Sequence, residues 1–578
     1  MAPLQVILLL LLVRATGIAD SPTASALLGG GLFAHRLPAA TVFASFLFSH
    51  LLLILAVAIR GRAAVRLMHQ PSSSATLIMG RMDRVVSSAR WASIAITAVH
   101  LYLLGLPAIL HEALAHTQIL RHLPLLPDAL MLAPGLLSWI AFWAAYYGVE
   151  AAQRHRSLPY RLGQGLPAHE MPPLGRYLSM QIRHNYYLLL PLALAGILEE
   201  AGQLLVPYWP WTSWIIGPVS LGVLFLLVPW LITRVWLTTP LRGPLRTRLD
   251  AMARQHGLRF RNILIWKTHN AVTNAAILGF LPFSRYFLMT DALLETLTDR
   301  QIEAVFAHEV GHGVHRHIWW YLASMVAVFM VVAGTVGLSG YYLAARLPWV
   351  AEEAVQSLAL IVLAGGFLVF LFPKIAHRFE HQADWFAAKH MAGEIAAHPH
   401  SEPVIGAALT FEVPADGAED VVPFFPPEPL TLDQYLAGNF ARGNAPAADT
   451  AAPTSDPAAA STAAPPPPPP PAIRPEPAVL GAEVFVSALD TIIEVAHKSR
   501  NKAGWMHPSV NGRIALIRDL AVNRPAAEHF DRELLLTRIV IAGSFAIGAL
   551  LLTATLRLPA PPTPPTPDAP PAVQRAAF

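Results

Sequence analysis

The chain has 578 residues, of which 54% are hydrophobic and only 13% charged, with a formal net charge of +4 and no cysteine. Without cysteine, a disulfide framework or disulfide partner, a thiolate-ligated zinc and a thiol nucleophile are all excluded. Charged residues are about half as frequent as the ~25% of soluble domains, and mean hydropathy is +0.45, so the composition points to an all-α polytopic membrane protein. The basic residues sit in short loops between apolar runs, a pattern of membrane topology and not of nucleic-acid binding.

In chain order, Leu4–Val13 is an apolar run too short to cross a bilayer. It resembles a signal-peptide core without the usual preceding basic residues, and its cleavage is left open. Runs long enough to span follow at Pro38–Ile59, Trp91–Leu110, Ala129–Tyr147, Tyr186–Val206, Trp214–Trp236, Trp319–Leu343 and Val355–Phe372, with an eighth at Ile539–Leu556. The loop after the first run carries Arg60, Arg62, Arg66, Arg81, Arg84 and Arg90. The loop after the third carries Arg154, Arg156, Arg161, Arg176 and Arg183, and the intervening loops are poor in basic residues. Positive-inside bias places the Arg-rich loops in the cytoplasm, and alternation then places residues 238–318 there too. The expected setting is a bacterial cell membrane, crossed several times, with the chemistry on its cytoplasmic side.

Glu199 and Glu200 fall inside the fourth run. They either face a bundle interior or cavity, or the helix ends at Ile197 and they lie at the interface. Residues 412–480 form a Pro/Ala-rich insert with seven consecutive prolines, Pro465 to Pro471, which cannot bury a core. The tail at 558–578 has the same composition.

The motif that carries chemistry is His308-Glu309-Val310-Gly311-His312. Thr298-Asp299-Arg300-Gln301 fits a capping box, and Ile302, Val305 and Phe306 follow at helical spacing, so a helix is expected to carry H-E-x-x-H about two turns from its start. Residues four apart share one helical face, which aims both imidazoles at a single metal and sets Glu309 beside them as a base for water. A catalytic zinc needs a third protein ligand. Glu380-His381-Gln382-Ala383-Asp384, after the seventh run, offers Glu380 as that ligand and Asp384 as acceptor for the second ring N–H of a ligating histidine. His315, His317 and His381 read as surface or interfacial histidines, with His381 the rival ligand.

Thr273-Asn274-Ala275-Ala276, Tyr286–Asp291, the H-E-x-x-H segment, Glu380–Asp384 and His507-Pro508 with Arg513 together resemble the integral-membrane zinc metallopeptidases that include the CAAX prenyl endopeptidase and the bacterial protease HtpX. The prenyl-endopeptidase branch fits better in the order of its segments. The resemblance covers roughly residues 240–392 and 484–520. It implies one zinc per chain held by His308, His312 and Glu380, with Glu309 as general base. It further implies a substrate-pairing edge strand at Asn274 and Ala275, His507 near the oxyanion, and Arg513 paired with an acid.

The implied architecture is seven core transmembrane helices plus a C-terminal extra one, around a small cytoplasmic-side, zincin-like catalytic core with a short β-element. The segments would be an N-terminal stretch (1–37), helices one to five (38–237), a catalytic segment (238–318), helices six and seven (319–373), a glutamate-ligand helix (374–411), the insert (412–480), a second catalytic segment (481–530), the extra helix (531–557) and the tail (558–578).

Departures are Ala376-His377 in place of the family's usual Ser-Arg, the long insert and the extra span; none is expected to touch the ligands. The implied activity is zinc-dependent cleavage of membrane-associated proteins or peptides. Competing readings are a non-catalytic scaffold with a structural zinc, a transporter using Glu199 and Glu200, and an intramembrane protease of the site-two type. The last takes an aspartate from a later Asp-Gly motif, and none of the apolar runs after the H-E-x-x-H segment contains one.

Overall fold

A computed structural model describes residues 2–14, 37–70, 72–115, 126–163, 171–209, 212–344, 346–347, 350, 353–397, 404–405, 430–431, 476–496 and 499–558. Nearly all of the Pro-rich insert, and the tail beyond residue 558, lie outside them.

The N-terminal half is a helical bundle: α1 (Ala2–Arg14), α2 (Ala39–Met68), α3 (Ala75–Tyr102), α4 (Leu106–Ala115), α5 (Leu126–Gly163), α6 (Leu174–Tyr186), α7 (Leu189–Gln203) and α8 (Thr212–Val235). α1 is packed into it, with Val6, Leu9 and Val13 buried and the Tyr102 hydroxyl donating to the Leu12 carbonyl at 2.6 Å. Among the described residues six helices are long and apolar enough to cross a membrane, or seven if one bent pair counts as a single span.

Two of the eight expected spans are therefore altered. The Trp91–Leu110 run breaks between α3 and α4 with a bend of 71°. Gly105 takes φ +68° there, and Pro107 opens the next helix without an N–H to give. The Tyr186–Val206 run yields only α7, whose 15 residues reach about 22 Å, short of a ~30 Å hydrocarbon core. α7 does not end at Ile197; it runs on to Gln203, and Glu199 is exposed, not inside the bundle.

The C-terminal part begins with β1 (Thr238–Pro240), α9 (Pro244–Gln255), β2 (Asn262–Trp266), β3 (Ala275–Leu278), β4 (Tyr286–Thr290) and α10 (Asp291–Thr296). The strands form one sheet in the order β1-β2-β4-β3. β2 and β4 are parallel, and the outer pairs are antiparallel. The inner strand β4 is buried at every position, whereas β3 is half-buried throughout, as an edge strand should be.

Next come α11 (Asp299–Val314), α12 (His317–Leu343), α13 (Glu353–Gly366), a π turn (Phe367–Leu371), α14 (Phe372–Ala397), α15 (Pro477–Ala496), α16 (Val510–Val522) and α17 (Arg524–Leu556). Leu249, Phe287, Leu293, Phe306, Ala387 and Phe485, each 1% exposed or less, join sheet and helices in one core.

α17 contains the extra apolar run. At 33 residues it is about 50 Å long, so its first half projects beyond its apolar half. That half packs on α12 through glycines: a Cβ on Gly548 would come within 2.8–3.1 Å of Met330, Val331 and Ala327, and one on Gly334 within 2.6–2.8 Å of Leu551 and Leu552. Small residues at such a crossing let two backbones approach. The projecting half packs on α14, where Phe379 meets Phe530 and Leu534.

Candidate metal centre and active site

α11 starts where its capping box lies. The Thr298 hydroxyl accepts from the Gln301 N–H at 3.3 Å and the Gln301 side chain accepts from the Thr298 N–H at 3.0 Å. His308, Glu309 and Gly311 are all buried on α11, with His312 half-buried. The glycine in the motif is structural: a Cβ on Gly311 would lie 3.2 Å from the Ala383 Cα and from Phe386. A side chain there would push Ala383 or Phe386 back by a few tenths of an ångström, so glycine eases the approach of α11 to α14 that brings Glu380 to the two histidines.

His308 Nε2 and His312 Nε2 are 3.1 Å apart. Glu380 oxygens lie 3.7 Å from the first and 3.3 Å from the second. Ligands 2.0–2.1 Å from a tetrahedral zinc stand about 3.3–3.4 Å from one another, so this triangle has the size of one zinc face. Two acceptor nitrogens and a carboxylate converging in a buried place, with no donor directed at them from the cluster itself, fit a divalent cation. Among the described residues this is the cluster with that geometry.

Asp384, fully buried, lies 2.9 Å from His308 Nδ1. Its carboxylate also accepts two bonds from Arg513, at 2.9 and 2.5 Å. Burial alone would raise the Asp384 carboxyl, but the Arg513 guanidinium and His308 hold it well below the usual carboxylate range; the same pair raises Arg513 against its own desolvation. Glu380, buried yet beside His312 and His507, is likewise held well below its ordinary value.

His507 Nδ1 is 2.7 Å from Glu380 Oε2, and its ring is 66% exposed. The loop that carries it is fastened by Trp505, whose indole N–H donates to the Leu368 carbonyl at 3.0 Å inside the π turn. His381 stays outside the cluster, 3.9 Å from Asp384.

The expectation that His317 is a surface or interfacial residue is wrong. It is fully buried, stacked on Phe379 at 4.7 Å and 3°, with Nδ1 2.8 Å from His312 Nδ1. A sequence reading could not separate a histidine at the start of an apolar helix from an interfacial one, because its partners Phe379 and Gln382 are more than sixty positions away. Gly311, Trp505, and the Gln382–Arg538 pair likewise meet partners far off in the sequence, which no local pattern reveals.

β3 lies beside α11 at the sheet edge. Register pairs Ala275 with Met289, and the Thr290 N–H donates to the Asn274 carbonyl at 3.0 Å. By antiparallel alternation, the main-chain groups of Ala275 and Ile277 point away from β4 to the open edge. A cavity of about 1090 Å³ opens between the bundle and this core, lined by Asp83, Glu150, His184, Trp266, His507 and Arg513 among others.

Membrane-length helices around a buried His-His-Glu cluster and a small mixed sheet define a membrane-associated metallopeptidase architecture. Residues 242–520, just under half of the chain, match the family model described as Peptidase family M48. The chain is 27% identical over 183 residues to a protease HtpX homolog of Aeropyrum pernix, covering 29% of this chain and 54% of the relative. It thus spans about half the length of the curated relative it matches. It is also similar to the crystal structure of S. mikatae Ste24p, at 16% identity and a TM-score of 0.33, over 61% of this chain and 89% of the other.

Proposed function

We propose that the protein is a zinc-dependent endopeptidase of the membrane, hydrolysing peptide bonds in flexible segments of membrane-associated proteins or peptides. The observation that carries this reading is the His308–His312–Glu380 triangle, with sides of 3.1 to 3.7 Å, next to a glutamate that is not part of it. A structural site has no use for the free carboxylate of Glu309, which weighs against a scaffold. Bound there, zinc supplies a Lewis acid and lowers the pKa of a water toward about 7.

The chain's own residues do the rest. Glu309 takes the proton of the attacking water and returns it to the departing amine, a role worth roughly 10²- to 10⁴-fold. Asp384 fixes the proton of His308 on Nδ1 and so aims Nε2 at the metal. His507, exposed on the cavity wall, donates from Nδ1 to Glu380 and turns its other edge toward the space where an oxyanion would form. Ala275 and Ile277 offer an open strand edge, and main-chain pairing there would select extended chain over any particular side chain.

The Arg-rich stretches at the end of α2 and in the first part of α3, and at the end of α5 and in α6, support a cytoplasmic catalytic face in a bacterial cell membrane. The resemblance of the motifs to the HtpX and CAAX prenyl-endopeptidase group suggests two substrate roles, membrane-protein quality control and C-terminal processing of CAAX type. The decisive experiment compares purified wild type with Glu309→Gln. Both should bind one zinc, while the variant loses hydrolysis of an unfolded reporter such as casein by at least 10²-fold. Equal turnover by the two proteins would overturn the mechanism.

A further inference from the structure

The proposed zinc reading accounts for the partner of His308, but not for what stands behind His312. His312 points Nε2 at His308 and Glu380, so its proton belongs on Nδ1. That atom is 2.8 Å from Nδ1 of His317, which must therefore be unprotonated and accept. The proton of neutral His317 then sits on Nε2, 3.0 Å from the Gln382 Oε1. Gln382 could be reversed in principle, but Arg538 Nη2 donates to the same Oε1 at 3.0 Å. A guanidinium has no acceptor to offer, so the amide oxygen has to face it. One arrangement of protons satisfies every bond: Arg538 to Gln382, His317 to Gln382, His312 to His317.

Local structure supports each joint. Arg316, between α11 and α12, adopts φ +56°, a left-handed turn that a non-glycine residue takes at a cost, and this turn folds His317 back onto His312. Phe379 stacks on the His317 ring and Trp320 lies under the Arg538 guanidinium at 5.7 Å, so both rings and cation are held in plane. Arg538 comes from α17, the helix that sequence alone marked as an addition remote from the ligands.

We infer that His317, Gln382 and Arg538 form a positioning relay that fixes the tautomer and aim of His312, and that α17 is thereby part of the metal centre. The relay rests on the proposed metal site. It differs from the support of His308, which is an anionic carboxylate clamped by arginine; His312 is backed by a neutral ring, an amide and a cation.

The test reads zinc binding, not turnover. Full-length protein in detergent is stripped of metal and titrated with zinc against a fluorescent chelator. His317→Phe keeps the stacking on Phe379 but removes the acceptor, and should weaken zinc binding 10- to 100-fold, the usual cost of losing a group behind a ligating histidine. His317→Asn loses the stacking but restores an acceptor oxygen where Nδ1 stood, and should stay within about threefold of wild type. A purely structural role for His317 predicts the opposite ranking. Arg538→Met should weaken binding severalfold in the wild-type background and not further beside His317→Phe, because the two act through one chain.

Full zinc affinity in His317→Phe, an Asn variant weaker than the Phe variant, or additive effects of His317→Phe and Arg538→Met would each overturn the relay. If His317→Phe fails to fold, unchanged zinc affinity in both Arg538→Met and Gln382→Met would do so. A wild type that takes up no zinc would instead overturn the metal-site reading, and the relay with it.

Discussion

At the scale of single residues, the centre is held by a buried ion pair of unequal exposure to challenge. Arg513 is 11% exposed and Asp384 not at all, so removing one partner strands the other charge away from water. Asp384→Asn should therefore lower stability by about 3–5 kcal/mol near neutrality. The pH dependence has a definite sign. Because the fold depresses the Asp384 carboxyl, its contribution is complete above the ordinary carboxylate value near 3.9 and is lost as pH falls below that toward the depressed one. Thermal unfolding of wild type and Asp384→Asn at pH 7 and at pH 3 should show a wide gap at the first and a narrower one at the second. A gap that is the same at both would show that the pair is not what the substitution removes.

At the scale of elements, what could be read from the sequence is what is local. The capping box of α11, the spacing of His308 and His312, and the Glu380/Asp384 pair each need only neighbours within a turn or two. In the structure the capping box forms as read, and His308, His312 and Glu380 lie close together with Asp384 against His308. The edge position of β3 is an arrangement of four strands in the order β1-β2-β4-β3, which hydrophobic periodicity does not encode; it came from resemblance alone. The edge can be tested by itself. Ala275→Pro removes an N–H that points away from β4 and leaves the ladder to β4 intact, a substitution that edge strands tolerate. Zinc content should be unchanged, while KM for an unfolded peptide rises about tenfold, the equivalent of one to two lost hydrogen bonds. An unchanged KM would mean that substrate does not pair there.

At the scale of the whole molecule, the apolar runs point to a membrane protein with eight spans, whereas the described residues hold six membrane-length helices, or seven with the bent pair as one. Run length is blind to a left-handed Gly105 and to a helix that stops after 15 residues. It also cannot reveal that α17 reaches back to Gln382, since that contact joins positions 156 apart. The glycine crossing between α12 and α17 carries a clear expectation. Gly548→Leu forces a side chain against the α12 backbone and should cost about 1–3 kcal/mol, with weaker zinc binding as Arg538 shifts. Gly543→Leu on the same helix meets nothing within 4 Å and should leave both melting temperature and zinc affinity unchanged. Equal behaviour of the two variants would dissociate α17 from the centre.

The π turn at Phe367–Leu371 has a further bearing on how this family of segments can be edited. A π turn amounts to one residue more than a regular helix would hold, and each helical residue advances the chain about 100° around its axis. Excising a single residue there would restore ordinary winding, and because the bulge already absorbs its surplus residue within one turn, the upstream apolar rod would keep its facing while Glu380 stays pinned by the histidines. Excising one from the regular winding on either side would instead turn the rod by that angle. The bulge marks the place where this segment can change length by one residue without turning one end against the other.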